Sequence, residues 1–215
     1  MILNEINNYC LFDQETSNLN LLTYNMPWEI SFLIVEDNKI VKEYQAYIKW
    51  DNFRISDGAR EKTRFNDELY KEKAIDPQTP LEEFEKYLYD SKYFILGANI
   101  LGFDVYIHNI WRKLLGKKTD YSYINRCIDT NCLAKALKLG IFDLPNAFSD
   151  LLAFQYRMQA KKVKGLKTNL EALGKEFGIQ YDYNSLHQAL SDVNLNKSVF
   201  DELKKRFNNR GIKLN

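Results

Sequence analysis

Tyr9-Cys10-Leu11-Phe12-Asp13-Gln14-Glu15-Thr16 opens with four apolar residues, breaks at Asp13 and carries a second acid two positions on. An apolar run this short, ended by a polar residue, reads as a buried strand. If the strand persists through Glu15, Asp13 and Glu15 point to the same face, because side chains alternate along a strand. Two carboxylates held side by side repel, and a cation between them is the natural compensation. Hard oxygen ligands at this spacing suit Mg²⁺ or Mn²⁺. Taken alone, the pair is also what a solvated strand end looks like.

Working outward, Ile30 to Val35 and Ile40 to Ile48 are β-rich runs joined by Glu36-Asp37-Asn38-Lys39, which suits a hairpin turn. Tyr93 to Leu96 and Arg126-Cys127-Ile128 are two further short strands. Residues 51–79 read as polar and irregular, with turn signals at Asp57-Gly58 and Asp76-Pro77. Helices are expected from Thr79-Pro80-Leu81-Glu82, where Thr79 caps and Glu82 completes a capping box. Others run from Asp104 to Leu115 with a stop at Gly116, and from Asp129-Thr130 to near Gly140. Residues 147–160 follow, then a second capping box at Thr168-Asn169-Leu170-Glu171 with a stop at Gly178, and a last helix from about Ser185 to Phe207. With no repeat and no Gly-, Pro- or Ser-rich linker, the order predicts one α/β domain with a mixed sheet flanked by helices.

Composition narrows the function classes. Thirty Lys and Arg against twenty-nine Asp and Glu give a net charge of +1 over 215 residues, with 45% apolar positions. That excludes a disordered chain and a protein holding nucleic acid by bulk attraction alone, but not an enzyme with a local basic track. No stretch is long and apolar enough to span a bilayer, and Met1-Ile2-Leu3-Asn4-Glu5 lacks a signal-peptide pattern. A cytoplasmic protein with no membrane partner is the expectation. Cys10, Cys127 and Cys132 show no CxxC spacing, so reduced buried thiols are expected. With only His108 and His187 in the chain, a zinc site is not expected.

Other acids stand at element boundaries. Asp104 opens a helix just after the Leu96-Gly97 strand end, where capping alone would explain it. His187 and Asp192 are five residues apart, about 140° on a regular helix, so they converge only if His187 sits in a loop or a loosened first turn. His108 belongs to no motif and reads as a core or surface histidine, and Asp129 reads as the cap of the helix after it.

Three motifs in order resemble the DEDDh (DnaQ-like) family of 3′–5′ exonucleases: Phe12-Asp13-Gln14-Glu15-Thr16, Ile95-Leu96-Gly97-Ala98-Asn99-Ile100-Leu101-Gly102-Phe103-Asp104, and His187-Gln188-Ala189-Leu190-Ser191-Asp192-Val193. Ile128-Asp129-Thr130, Asn169-Leu170-Glu171-Ala172-Leu173 and Phe177-Gly178-Ile179 match accessory stretches, so the resemblance covers about residues 9 to 205. Three residues between Asn99 and Phe103, where proofreading subunits usually have two, resemble the spacing in the nuclease domain of bacterial exonuclease I. The resemblance implies a ribonuclease-H-like mixed five-stranded sheet flanked by helices, as a single exonuclease domain over residues 1–215 with a basic tail from about 204.

By the same resemblance, Asp13 would bridge two Mg²⁺ or Mn²⁺ ions. Glu15 and Asp192 would help hold the first ion, and Asp104 would act on the second. His187 would deprotonate the attacking water. Thr16, Leu19, Asn99 and Phe103 match positions that line the terminal-nucleotide pocket, although Phe103 fits a core equally well. Asn18 departs from the glycine that many members carry, which by the same resemblance would reshape that pocket. No sequence after residue 215 corresponds to the extra domains of exonuclease I, so strand preference is expected to come from this domain or a partner. The implied partner is a 3′ end of single-stranded DNA or RNA, DNA preferred on the likeness alone, and no protein partner is indicated.

Two basic tracts, Lys161-Lys162-Val163-Lys164-Gly165-Leu166-Lys167 and Lys204-Lys205-Arg206 with Arg210 and Lys213, suit a phosphate backbone or a solvated face. Arg54, Arg60, Lys62 and Arg64, interleaved with Phe53, Phe65 and Tyr70, suit base stacking or an ordinary loop. The alternatives to an exonuclease are a non-catalytic nucleic-acid-binding module on the same fold, and a hydrolase of short oligonucleotides or small phosphoesters.

Overall fold

Strand β1 (Tyr9–Thr16) runs unbroken through Asp13 and Glu15, so both acids do share a face. The computed structural model describes residues 2–183 and 189–209. β1 is the middle strand of a five-stranded sheet, with β2 (Pro27–Glu36) and β3 (Lys39–Tyr47) on one side and β4 (Phe94–Gly97) and β5 (Cys127–Asp129) on the other, in the order β3-β2-β1-β4-β5. β2 pairs antiparallel with β1 and β3, whereas β4 runs parallel to β1 and β5 parallel to β4. The sheet is mixed, as expected. Asp37 and Asn38 adopt positive φ at the β2–β3 turn, the two-residue geometry that follows the twist of a hairpin. β2 is buried on both faces, its apolar run broken by Glu29 and Ser31, while the edge strand β3 is largely exposed and carries lysines.

Eight α-helices are described: α1 (Asp57–Thr63), α2 (Asp67–Lys73), α3 (Gln78–Leu88), α4 (Asp104–Leu114), α5 (Thr130–Lys138), α6 (Phe148–Ala160), α7 (Leu170–Phe177) and α8 (Ala189–Asn209). They cover the sheet on two sides. Tyr9 and Leu11 of β1 pack with Leu133, Phe154, Val199 and Phe200 from α5, α6 and α8. Cys10 and Phe12 face the other way, against Leu81, Phe84 and Trp111 of α3 and α4. All three cysteines are buried and unbonded to one another.

The segment read as irregular differs most. Residues 57–63 and 67–73 are helices, each capped locally: Ser56 accepts the Ala59 N–H, and Asn66 accepts those of Glu68 and Leu69. Two seven-residue helices are too short to show a helical apolar period. The rings of Phe53, Phe65 and Tyr70 are in contact with each other (centroids 4.9–5.5 Å), and Phe65 abuts Trp28 at 4.9 Å. Those rings build the cover over the β2 end rather than a row of free stacking faces.

Two caps also move. α3 begins at Gln78, before Thr79, because the Asp76 carboxylate accepts the Gln78 N–H and Pro77 stands at the cap position. At α7 the cap is Asn169, whose side chain accepts the Ala172 N–H, and not Thr168; asparagine caps at least as well as threonine. Lys204, Lys205 and Arg206 are helical, within α8, with Arg206 bonded to Glu202 and lying over Phe177. Arg210 and Lys213 fall outside the described residues, as does the expected start of the last helix. Among the described residues no helix is long and apolar enough to cross a membrane.

Candidate active site

β1 outlasts its parallel neighbour. The β1–β4 ladder stops at Leu11 opposite Leu96, and β4 ends at Gly97, so Asp13 and Glu15 extend past it on the side covered by α8. Gly97 makes the turn-away possible: a Cβ there would lie 1.9 Å from Ile100 Cγ2 and 3.0 Å from the Phe12 carbonyl oxygen. Asn99 follows in the left-handed region (φ 65°), its N–H held by Asp129 Oδ1 at 3.1 Å, with the Leu101 N–H on Oδ2 at 3.2 Å. Asp129 also accepts the N–H groups of Asn131 and Cys132. It therefore caps α5, as expected, and in addition ties the 99–101 loop that delivers Asp104.

Asp192 comes from α8, 9% exposed. Asp13, Glu15 and Asp192 each offer an oxygen within 4.8 Å of the others. Asp104, at the start of α4, lies outside that triangle but close enough to act on it. Burial, then the charges of Asp104, Asp192, Glu15 and Glu29, hold the Asp13 carboxyl well above its ordinary range. Burial and the charges of Asp192, Glu29 and Asp104 push Glu15 up to about 8, with Lys62 pulling the other way. Burial likewise lifts Asp104 to about 8, against a hydrogen bond from the Gln14 backbone N–H. Its Oδ1 is buried without a hydrogen-bond partner. An orphaned buried carboxylate oxygen beside three converging acids is a donor set that wants a hard cation.

The acids gain a fifth member that the motifs did not announce. Glu29 of β2 stands directly across from Glu15 and is 1% exposed. Burial raises it to about 7, opposed by the Gln45 amide (Nε2 to Oε1, 2.6 Å) and by the Ala189 backbone N–H at the start of α8. A lone acid inside the apolar run Pro27-Trp28-Glu29-Ile30 was its only signal in sequence. The second addition is Lys62 of α1, which lines both cavities at the site.

Thr16, Leu19, Asn99 and Phe103 come together, with Asp13, Glu15 and Asp192, around one cavity of about 270 Å³. Leu19 is 70% exposed in the β1–β2 loop. A second cavity, about 380 Å³, shares Asp13, Lys62 and Asp192 and is closed by Asn131, Asn169 and Glu171. His187 lies outside the described residues. His108 is a core residue, fully buried on α4 between Glu85 and Tyr123.

The architecture is the ribonuclease-H-like exonuclease fold. Solved structures that share it include one of exonuclease I (TM-score 0.73, 17% identity, covering 94% of this chain and 42% of that one). They also include the zinc-bound form of an E. coli ExoI–ssDNA complex (TM-score 0.70, 17% identity, 93% and 40%). A third is E. coli exonuclease I in complex with a dA16 oligonucleotide (TM-score 0.69, 17% identity, 94% and 42%). This chain spans about two fifths of the length of those chains. No family model and no curated protein matches the sequence.

Proposed function

We propose that this chain is a metal-dependent 3′–5′ exonuclease, one exonuclease domain that hydrolyses phosphodiester bonds of single-stranded nucleic acid, DNA before RNA, and releases nucleoside 5′-monophosphates. One observation carries the reading: Asp13, Glu15 and Asp192 converge within 4.8 Å beside Asp104, whose Oδ1 is buried without a hydrogen-bond partner. The fold shared with exonuclease I and its single-strand complexes supports the same reading. Asp13, Glu15, Asp104 and Asp192 would hold two Mg²⁺ or Mn²⁺ ions. Bound there, such ions supply charge neutralisation for the developing phosphorane and a more acidic water.

The protein groups do the rest. Asp13 faces both cavities, and Asp104 is fixed by the loop tied to Asp129. His187 would accept the proton of the attacking water, as its ordinary pKa near 6.5 suits. Thr16, Leu19, Asn99 and Phe103 would enclose the terminal sugar and base, and Lys62 would face its phosphate. Incubation of a 5′-labelled single strand with Mg²⁺ or Mn²⁺ tests the reading. A ladder of shortened strands is expected, lost on chelation and in Asp13→Ala. Intact strands with either metal, on DNA and RNA, would overturn it, and strand binding without cleavage would move the chain to the non-catalytic class.

A further inference from the structure

The cavity bounded by Asn131 and Asn169 does not stop there. Lys135 follows Asn131 by four residues on α5, so it stands on the same helix face about 6 Å further along. Thr168 precedes Asn169 on the chain. Lys135 and Thr168 both belong to the wall of a second basin of about 540 Å³, whose other lysines are Lys161, Lys162 and Lys164. The acidic site and a lysine-lined basin are therefore consecutive along one face of α5 and one loop.

The loop that makes the basin is built to present charge. Residues 161–167 contain four lysines and no carboxylate, and Gly165 turns the chain at φ 80°. Several lysines elsewhere are tied to acids, as in Lys42–Glu83, Lys92–Glu36, Lys138–Glu176, Lys175–Glu171 and Lys197–Asp201. Among the described residues no ion pair includes Lys161, Lys162 or Lys164, and all three are exposed. Lys135 donates to the carbonyl oxygens of Gln159 (3.3 Å) and Lys161 (3.1 Å), which anchors the loop base to α5. A rigid floor with free ammonium groups above it suits a polyanion whose charges repeat along a line.

We infer that this basin binds the sugar–phosphate backbone of a single strand a few nucleotides upstream of the 3′ end held at Asp13. The inference rests on the nuclease reading for the direction of the strand, and on the basin alone for its ligand class. It gives the chain a grip on long strands that a short product does not share.

The test compares fluorescently labelled dT12 and dT2 on the wild type and on a triple variant, Lys161→Ala with Lys162→Ala and Lys164→Ala. Binding is read by anisotropy in Ca²⁺, with an rU12 arm, and turnover by KM in Mn²⁺. The wild type is expected to bind dT12 at least tenfold more tightly than dT2, and the variant to lose most of that advantage. The slope of log affinity against log salt should fall by about 2, the share of three phosphate contacts on a single strand. An equal loss for rU12 is expected, because the contacts are to phosphate. A dT12 affinity within twofold of wild type, or a salt slope unmoved, would overturn the inference while leaving a cleavage ladder, and so the nuclease reading, intact. Conversely, a wild type that cuts nothing but loses dT12 affinity with the three lysines would retain the basin and discard the nuclease. Because the three side chains are exposed and unpaired, an unchanged melting temperature is the control for fold.

Discussion

Two clusters of buried and half-buried ionisable groups sit on opposite sides of the same sheet and are treated in opposite ways. Under α3 and α4, Glu85 accepts from His108 Nε2 at 3.0 Å and from Arg112, while His108 Nδ1 meets the Tyr123 hydroxyl at 3.0 Å. Burial alone would raise the Glu85 carboxyl, but those donors outweigh it and hold it below its ordinary value. Burial keeps His108 below its own, so the imidazole stays neutral. On the α8 side, Asp13, Glu15, Glu29, Asp104 and Asp192 converge with one exposed lysine near them, and four of these carboxyls rise. The first cluster closes its own electrostatics and is architecture. The second leaves them open to something that must come from outside.

The largest expected effect breaks the open cluster. Asp13→Asn should lower the rate of strand shortening by about 10³-fold, on the scale of removing one key electrostatic group from an active site. It should also raise the metal-free melting temperature by relieving repulsion. A variant that keeps turnover would return the acids to the role of a solvated strand end. Next, Glu85→Ala should break the closed cluster, leaving Arg112 and His108 without their acceptor at a cost of about 3 kcal/mol. Urea unfolding would show it, with turnover per folded molecule retained, and a stability change near zero would erase the contrast.

The pH dependence separates the clusters by sign. Glu15 goes from 4.5 to about 8 and Asp104 from 3.8 to about 8 on folding, so the folded chain holds protons that the unfolded chain releases. Their stabilisation is complete below about pH 4 and is lost as pH rises through 8. His108 acts in reverse, because a depressed histidine costs stability as pH falls below its ordinary 6.5. In chelator, the melting temperature should therefore fall between pH 5 and pH 8. Saturating Mg²⁺ at a hundred times its Kd should restore about 2.7 kcal/mol at pH 8. A flat chelated profile would show that the acids are already compensated. The smallest effect belongs to Lys62→Ala, which should cost about 0.2–1 kcal/mol in chelator at pH 8 and less at pH 5, where Glu15 is protonated.

How much of this was legible follows from the range of the signals. Asp13 and Glu15 could be read because strand parity is a two-residue rule, and β1 obeys it through Thr16. Asp129 was readable as a cap for the same reason, since the N–H groups it accepts lie within three residues. Its hold on Asn99, thirty residues back, was not. Glu29 was missed because its meaning lies in being opposite Glu15, and register across a β1–β2 connection is set by packing on two faces. α1 and α2 were missed because each is only seven residues long, and the ring that covers the sheet end, Phe65, lies between them against Trp28 and Tyr70, leaving no stripe of helical period. The shifted caps show a local competition in which Asp76 and Asn169 won over nearby threonines.

Asp192 arrives on the last helix of the described chain, packed against β1 and β2, and that helix brings the Ala189 N–H to Glu29. β1 and α8 must therefore meet before the acid set is complete. The sheet can form around Asp13 and Glu15 before α8 docks, so the share of the repulsion that Asp192 adds is deferred to that docking event. Until then the nascent chain is an unarmed scaffold, and the step that completes its core is the same step that arms it.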